Sequence, residues 1–144
     1  MAGLALAMGV LASVGPIADG GLVVGVVAIV AFTALAFAWS PLAFPRSVGA
    51  ARARELSGQD GRPVIYWRPG CTYCQRLRVR LGRAGQRAHW VNIWADPAGA
   101  AAVREITGGD ETVPTVEVDG RSHVNPDPRW LRDRLRVGMS TSGR

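Results

Sequence analysis

Cys71 and Cys74 are the only cysteines among 144 residues, set two positions apart in Cys71-Thr72-Tyr73-Cys74. Thiols at this spacing can close and open a disulfide within one helical turn, or supply half of a zinc site. Structural zinc takes four ligands. Only His89 and His123 remain to complete such a set, at no recognised spacing. The redox reading gains from placement. Val64-Ile65-Tyr66-Trp67 is β-branched and aromatic and predicts a buried strand, whereas Cys74, Leu77 and Leu81 fall at i, i+3 and i+7 on one helical face. Cys71 then stands at a helix N-terminus, where free backbone N–H groups and the helix dipole stabilise a thiolate and lower its pKa from about 8.5. Arg68 brings positive charge nearby. Cys74, one turn in and on the apolar face, is expected to be more buried and less acidic. That asymmetry makes Cys71 the attacking thiol and Cys74 the thiol that resolves the mixed disulfide.

The elements that must hold this pair are legible on both sides. Trp90-Val91-Asn92-Ile93 predicts a second strand. Asp96-Pro97 is an N-cap followed by proline at the first helical position, opening a helix to about Thr107 that Gly108-Gly109 closes. Val113-Pro114-Thr115 leads into a third strand, and proline there lacks only a ladder donor that a strand's first residue does not need. Thr115–Val118 and Arg121–Val124 flank Asp119-Gly120, a type I′ hairpin signal. Asp127-Pro128 repeats the cap-plus-proline device before a last helix carrying Leu131 and Leu135. The order is βαβαββα. A strand–helix–strand start implies a parallel pair with a right-handed crossover, hence a four-stranded mixed sheet with helices packed on it. His89 and His123 read as surface or strand-end residues; Trp90, Trp94 and Trp130 read as core or rim.

Charge divides the chain. Of 17 basic and 11 acidic residues, only Asp19 precedes Arg46. Leu22 to Trp39 is an uncharged run of 18 residues, about 27 Å as a helix and close to the ~30 Å hydrocarbon core. Trp39 suits an interface, and Pro41 and Pro45 stop the helix. We read this run as a transmembrane span. Leu4 to Ala18 is a weaker stretch broken by Gly15-Pro16; it reads as the first arm of a two-span hairpin, with a single span and an interfacial N-terminus as the alternative. Arg46, Arg52 and Arg54 follow the span and no arginine precedes it, which places the C-terminal part in the cytoplasm. A cleaved signal peptide is disfavoured because the N-terminus has no basic region and the apolar length is too great. All 17 basic residues are arginine, as expected of a GC-rich genome, and the net charge of +6 comes with no nucleic-acid motif. The expected division is a membrane anchor over 1–45 (about 4–18 and 22–39), a short helical linker over 46–61, a folded domain over 62–137 and a flexible tail over 138–144.

The domain resembles the glutaredoxin branch of the thioredoxin superfamily over roughly residues 62–137. It is most similar to the actinobacterial mycoredoxins, through Trp67, Cys71, Tyr73 and Cys74 in Trp-x-x-x-Cys-x-Tyr-Cys, Asn92-Ile93 before Asp96-Pro97, Thr112-Val113-Pro114-Thr115-Val116, and Asn125-Pro126. Thr72 stands where glycine more usually follows the first cysteine. The resemblance implies a thioredoxin-like α/β fold and a thiol–disulfide oxidoreductase. Cys71 would take the thiol moiety from a mixed disulfide, with release by Cys74 or by a second low-molecular-weight thiol such as mycothiol. It further implies that Pro114 is cis beside the active-site pair, that the backbone of Val113 pairs with the bound thiol or peptide, and that Trp67, Arg68, Tyr73 and Thr112 border the same site. Oxidised or mycothiolated proteins and a lipid bilayer are the expected partners; neither nucleic acid nor a metal is. Two alternatives stand beside this reading: a glutaredoxin-like module sharing a [2Fe–2S] cluster through Cys71, and an extracytoplasmic disulfide oxidant of reversed topology.

Overall fold

The computed structural model describes residues 21–38 and 44–141. The chain divides into two compact units between Phe44 and Pro45. The first contains helix α1, Leu22–Ala38, without a single charged side chain. At 17 residues it is about 25 Å long. Among the described residues no helix is long and apolar enough to cross a membrane. The expected first span, Leu4 to Ala18, and the Trp39 and Pro41 used to end the second lie outside the described residues.

The second unit is built on helix α2 (Ala50–Asp60), strand β1 (Val64–Trp67), helix α3 (Thr72–Leu81), a 3-10 turn (Gly82–Arg87), strand β2 (His89–Asn92), helix α4 (Pro97–Thr107), strands β3 (Thr115–Val118) and β4 (Arg121–Val124), and helix α5 (Pro128–Thr141). The sheet order is β2-β1-β3-β4, with β1 and β2 parallel and the other pairs antiparallel. This is the expected thioredoxin-like arrangement. Register puts Ile65 opposite Trp90 and Val116, and Tyr66 opposite Val91 and Thr115. Since side chains alternate along a strand, Val64, Tyr66, Val91 and Glu117 share one face, and Ile65, Trp67, Trp90 and Val116 share the other. Helices α3 and α5 pack together on the second face, where the Trp90 indole donates to the Gly85 carbonyl at 2.7 Å and the His123 ring meets Trp130. The hairpin forms as predicted, with Asp119 and Gly120 both at positive φ (52° and 70°), the type I′ signature.

Residues 46–61 are not a linker. Helix α2 buries Ala50 and Ala53 against the first sheet face and helix α4. The segment before it lies along the free edge of β2, where Val48 N donates to the Trp90 carbonyl at 3.0 Å and Asn92 N donates to Ser47 Oγ at 2.7 Å. One carboxylate joins the two helices. Asp96 Oδ1 accepts from Ala98 N and Gly99 N at 3.0 and 3.2 Å, the N-cap read from the sequence, while its Oδ2 accepts from Ala50 N at the start of α2. The N-cap residue of α2 is Gly49, which has no side chain to cap with, so Asp96 takes that role from 46 residues away. Small residues make the approach possible: a Cβ on Gly99 would lie 2.8 Å from Val91 Cγ1. Midway along α2, Arg54 donates to Glu117 at 2.8 and 3.0 Å, and Glu117 also accepts from the hydroxyl of the fully buried Tyr66 at 2.7 Å. The His89 ring reaches Asp60 at 2.9 Å.

Two further boundaries shift. Strand β2 begins at His89 rather than Trp90, because His89 N bonds the Pro63 carbonyl at 2.9 Å. The last helix runs to Thr141, so residues 138–141 are helical where a tail was expected.

Candidate active site

The C-terminal end of β1 delivers the chain through Arg68-Pro69-Gly70 to the start of α3. Gly70 takes φ 77°, a left-handed value that glycine adopts without strain, and this turn brings Cys71 to the N-cap position. Cys71 Sγ accepts the backbone N–H of Cys74 at 3.2 Å. When protonated, the same thiol donates to the Val113 carbonyl at 3.4 Å. Cys71 is partly exposed and Cys74 is fully buried; both are reduced.

These surroundings push the two thiols apart. Cys71 is lowered to about 6, foremost by the hydrogen bond from the Cys74 thiol, with burial working against it and the Cys74 N–H, the Arg68 charge and the Tyr73 N–H assisting. Cys74 is pushed far above the ordinary thiol range, because its proton is held by the Cys71 sulfur and because it is buried. The pair therefore shares one proton, and it sits on Cys74. The accessible sulfur is the charged, nucleophilic one, and the buried sulfur waits as its hydrogen-bond donor.

Val113 and Pro114 form the opposing wall. Their peptide bond is cis, as the resemblance implied, and both residues are buried. Thr112 is exposed at the rim, and its carbonyl accepts from Thr115 Oγ1 at 2.8 Å. Behind the proline, Asn125 takes φ 48° and donates its N–H to the Pro114 carbonyl at 2.7 Å. Asn125 was not among the expected site residues; the Asn125-Pro126 pair was the signal for it, because asparagine tolerates left-handed backbone better than most residues.

Arg68 and Tyr73 lie where the sequence placed them, beside the thiol. Tyr73 is exposed and carries the Arg76 guanidinium 5.8 Å from its ring centre. Trp67 is different. Its side chain is only 2% exposed, so the ring belongs to the core and presents no stacking surface to a ligand. Trp90 is core and Trp94 is on the rim, 63% exposed. His89 is the first residue of β2, a strand end as expected, whereas His123 lies within β4, partly buried with its ring against Trp130. Among the described residues no group of three or more His, Cys, Asp or Glu side chains is arranged to hold a metal ion. A groove of about 410 Å³ lies at the opposite end of the sheet, bordered by Arg54, Val64, Glu117 and Gly120, away from the thiols.

The glutaredoxin family model matches residues 64–124. Two Mycobacterium tuberculosis proteins, from strains CDC 1551 / Oshkosh and ATCC 25618 / H37Rv, each named a putative glutaredoxin, are 34% identical to this chain over 73 residues. The match covers 50% of this chain and 87% of each of theirs. No solved structure gives a match. With the thiol pair, the cis proline and the mixed sheet all falling in the matched region, the chain belongs to the glutaredoxin family.

Proposed function

We propose that the protein is a membrane-tethered thiol–disulfide oxidoreductase that reduces protein disulfides or mycothiol mixed disulfides in the cytoplasm. The observation that carries the chemistry is the separation of the two thiols: Cys71 lowered to about 6 at a helix N-terminus, Cys74 buried and protonated behind it. The Cys71 thiolate attacks one sulfur of a mixed disulfide. A new S–S bond forms to Cys71, the old one breaks, and the departing sulfur leaves as a thiolate that takes a proton from solvent. Two routes then regenerate Cys71. A second low-molecular-weight thiolate attacks the adduct and leaves as its symmetrical disulfide. Alternatively, Cys74 gives up its proton and attacks Cys71, releasing the thiol and closing Cys71–Cys74, which two further thiols reduce.

Mycothiol as the co-substrate is supported by the Trp-x-x-x-Cys-x-Tyr-Cys pattern, by mycobacterial relatives and by the arginine-only composition. The tether is supported by the uncharged helix α1 and by Arg46, Arg52 and Arg54 downstream of it. A helix a few ångströms short of the bilayer core is accommodated by local thinning. Two experiments test this reading. Purified protein is assayed on mycothiol-capped and glutathione-capped versions of one peptide; faster turnover of the mycothiol form is expected, and equal or reversed rates reject the mycothiol assignment. A reporter fused after Arg144, active only on the cytoplasmic side, gives signal from the carbonate-resistant membrane fraction; a signal from the soluble fraction alone rejects the tether.

A further inference from the structure

From Gly61 to Ala95 the chain carries seven arginines and not one acidic residue. Helix α3 lies inside this stretch. Its apolar side is spent on Cys74, Leu77 and Leu81, which are buried. Helical periodicity sets Tyr73, Arg76 and Arg80 along the outer side, with Thr72 and Val79 adjoining and Arg83 just beyond the helix end. All six are exposed. Among the described residues Arg76, Arg80 and Arg83 make no ion pair within 4.0 Å. Arg76 rests over Tyr73, and Arg80 acts on Asp127 only through its longer-range field. Elsewhere arginines are paired: α2 joins Arg52 to Glu55 and Arg54 to Glu117, α4 joins Arg104 to Glu111, and α5 joins Arg134 to Asp119 and Arg136 to Asp133. A strip of uncompensated positive charge thus runs along the helix that starts at the attacking thiol.

We infer that the outer side of α3 is a docking strip for an acidic polypeptide segment flanking the target cysteine of a protein substrate. Length fits: ten residues of helix run about 15 Å, the reach of about four or five extended residues. Composition fits as well, since arginine and tyrosine are enriched at the residues that anchor protein interfaces. A polypeptide is favoured over other polyanions because the strip is narrow and leads away from Cys71, where the disulfide of a protein substrate must be presented for attack. That choice rests on the thiol-exchange reading, and the test separates the two. Opposite charge at this site raises the encounter rate and sets which targets are preferred, and it is weakened by salt.

The test uses the full chain and two fluorescein-labelled, cysteine-free octapeptides of otherwise identical sequence, one with four glutamates and one with four glutamines. Binding is read by anisotropy at 20 mM and 300 mM NaCl. The glutamate peptide is expected to bind about tenfold more tightly at low salt. That preference should vanish in the triple variant Arg76→Gln, Arg80→Gln, Arg83→Gln and persist in the corresponding triple lysine variant. Reduction of 2-hydroxyethyl disulfide, a neutral small substrate, should be equal in all three proteins. Equal binding of the two peptides by the unaltered chain overturns the proposal. So does binding of phosphatidylglycerol vesicles through the same arginines with no peptide preference. If the peptide binds as expected but 2-hydroxyethyl disulfide is not reduced, the strip stands and the oxidoreductase reading falls.

Discussion

Replacing Cys74 by alanine should make Cys71 a weaker acid. The largest contribution to the acidity of Cys71 is the hydrogen bond donated by the Cys74 thiol; the Cys74 N–H, the Arg68 charge and the Tyr73 N–H act in the same direction. Alanine removes the first and leaves the rest, while the Val113 carbonyl, 3.4 Å away, continues to favour the protonated thiol. A hydrogen bond to a charged group is worth about 1.5–3 kcal/mol when buried, and Cys71 is partly exposed, so the midpoint should rise by about one pH unit. With an unaltered midpoint of about 6, the thiolate fraction at pH 6 falls from about one half to about one tenth, a fivefold drop in alkylation rate. Serine at position 74 keeps a donor and should move the midpoint by less than half as much. The assay is the rate of iodoacetamide alkylation of Cys71 from pH 4.5 to 9.5, read by mass spectrometry on the unaltered chain and both variants. A midpoint of 8 or above in the unaltered chain, or no change on Cys74→Ala, refutes the shared-proton account.

Asp96→Ala removes the N-cap of α4 and the acceptor for Ala50 N together; the expected loss is about 2 kcal/mol, or roughly 10 °C in thermal midpoint by circular dichroism, and a change below 2 °C contradicts the double cap. Glu117→Ala strands the buried Tyr66 hydroxyl and should cost about 2–3 kcal/mol while leaving turnover of a small disulfide intact, because the cluster lies at the far end of the sheet. Its carboxyl is held below the usual range by Arg54 and Tyr66 against burial. The stability it contributes is therefore present above the unfolded carboxylate pKa and lost as pH falls through the lower folded value; urea melts between pH 6 and 3 should show a steeper decline in the unaltered chain than in the variant, where Glu55 and Asp127 still titrate low. Gly99→Ala places a methyl 2.8 Å from Val91 Cγ1 and should destabilise by about 1–3 kcal/mol, with partial recovery on adding Val91→Ala; equal melting of Gly99→Ala and the unaltered chain contradicts the close packing of α4.

What was legible in the sequence was local. The caps at Asp96 and Asp127, the Asp119-Gly120 turn, the apolar spacing of α3 and the strand at Val64–Trp67 each depend on neighbours within a few residues, and each formed as read. The placement of Cys71 on the first N–H groups of α3 followed from the same logic. What was not legible was non-local. Residues 46–61 look like a polar linker because their packing partners lie far away: Asp96 for Ala50, Glu117 for Arg54, Trp90 for Val48. Alanines at 50 and 53 carry no strong hydrophobic signal, and it is their smallness that lets α2 approach the sheet. Trp67 misled for a related reason. An aromatic residue near a thiol suggests stacking, but alternation along β1 turns its ring toward the same face as Trp90 and Val116.

The central claim is that Cys71 takes the thiol and that, where no second small thiol is supplied, Cys74 removes it. Cys74→Ser is mixed with a peptide disulfide capped by a small thiol, quenched with acid and digested for mass spectrometry. The account predicts that a mixed disulfide accumulates on Cys71 in this variant, that the unaltered chain passes on to a Cys71–Cys74 disulfide, and that Cys71→Ser forms no adduct at comparable times. An adduct on Cys74 in the Cys71→Ser variant, formed as fast as the one on Cys71, contradicts it.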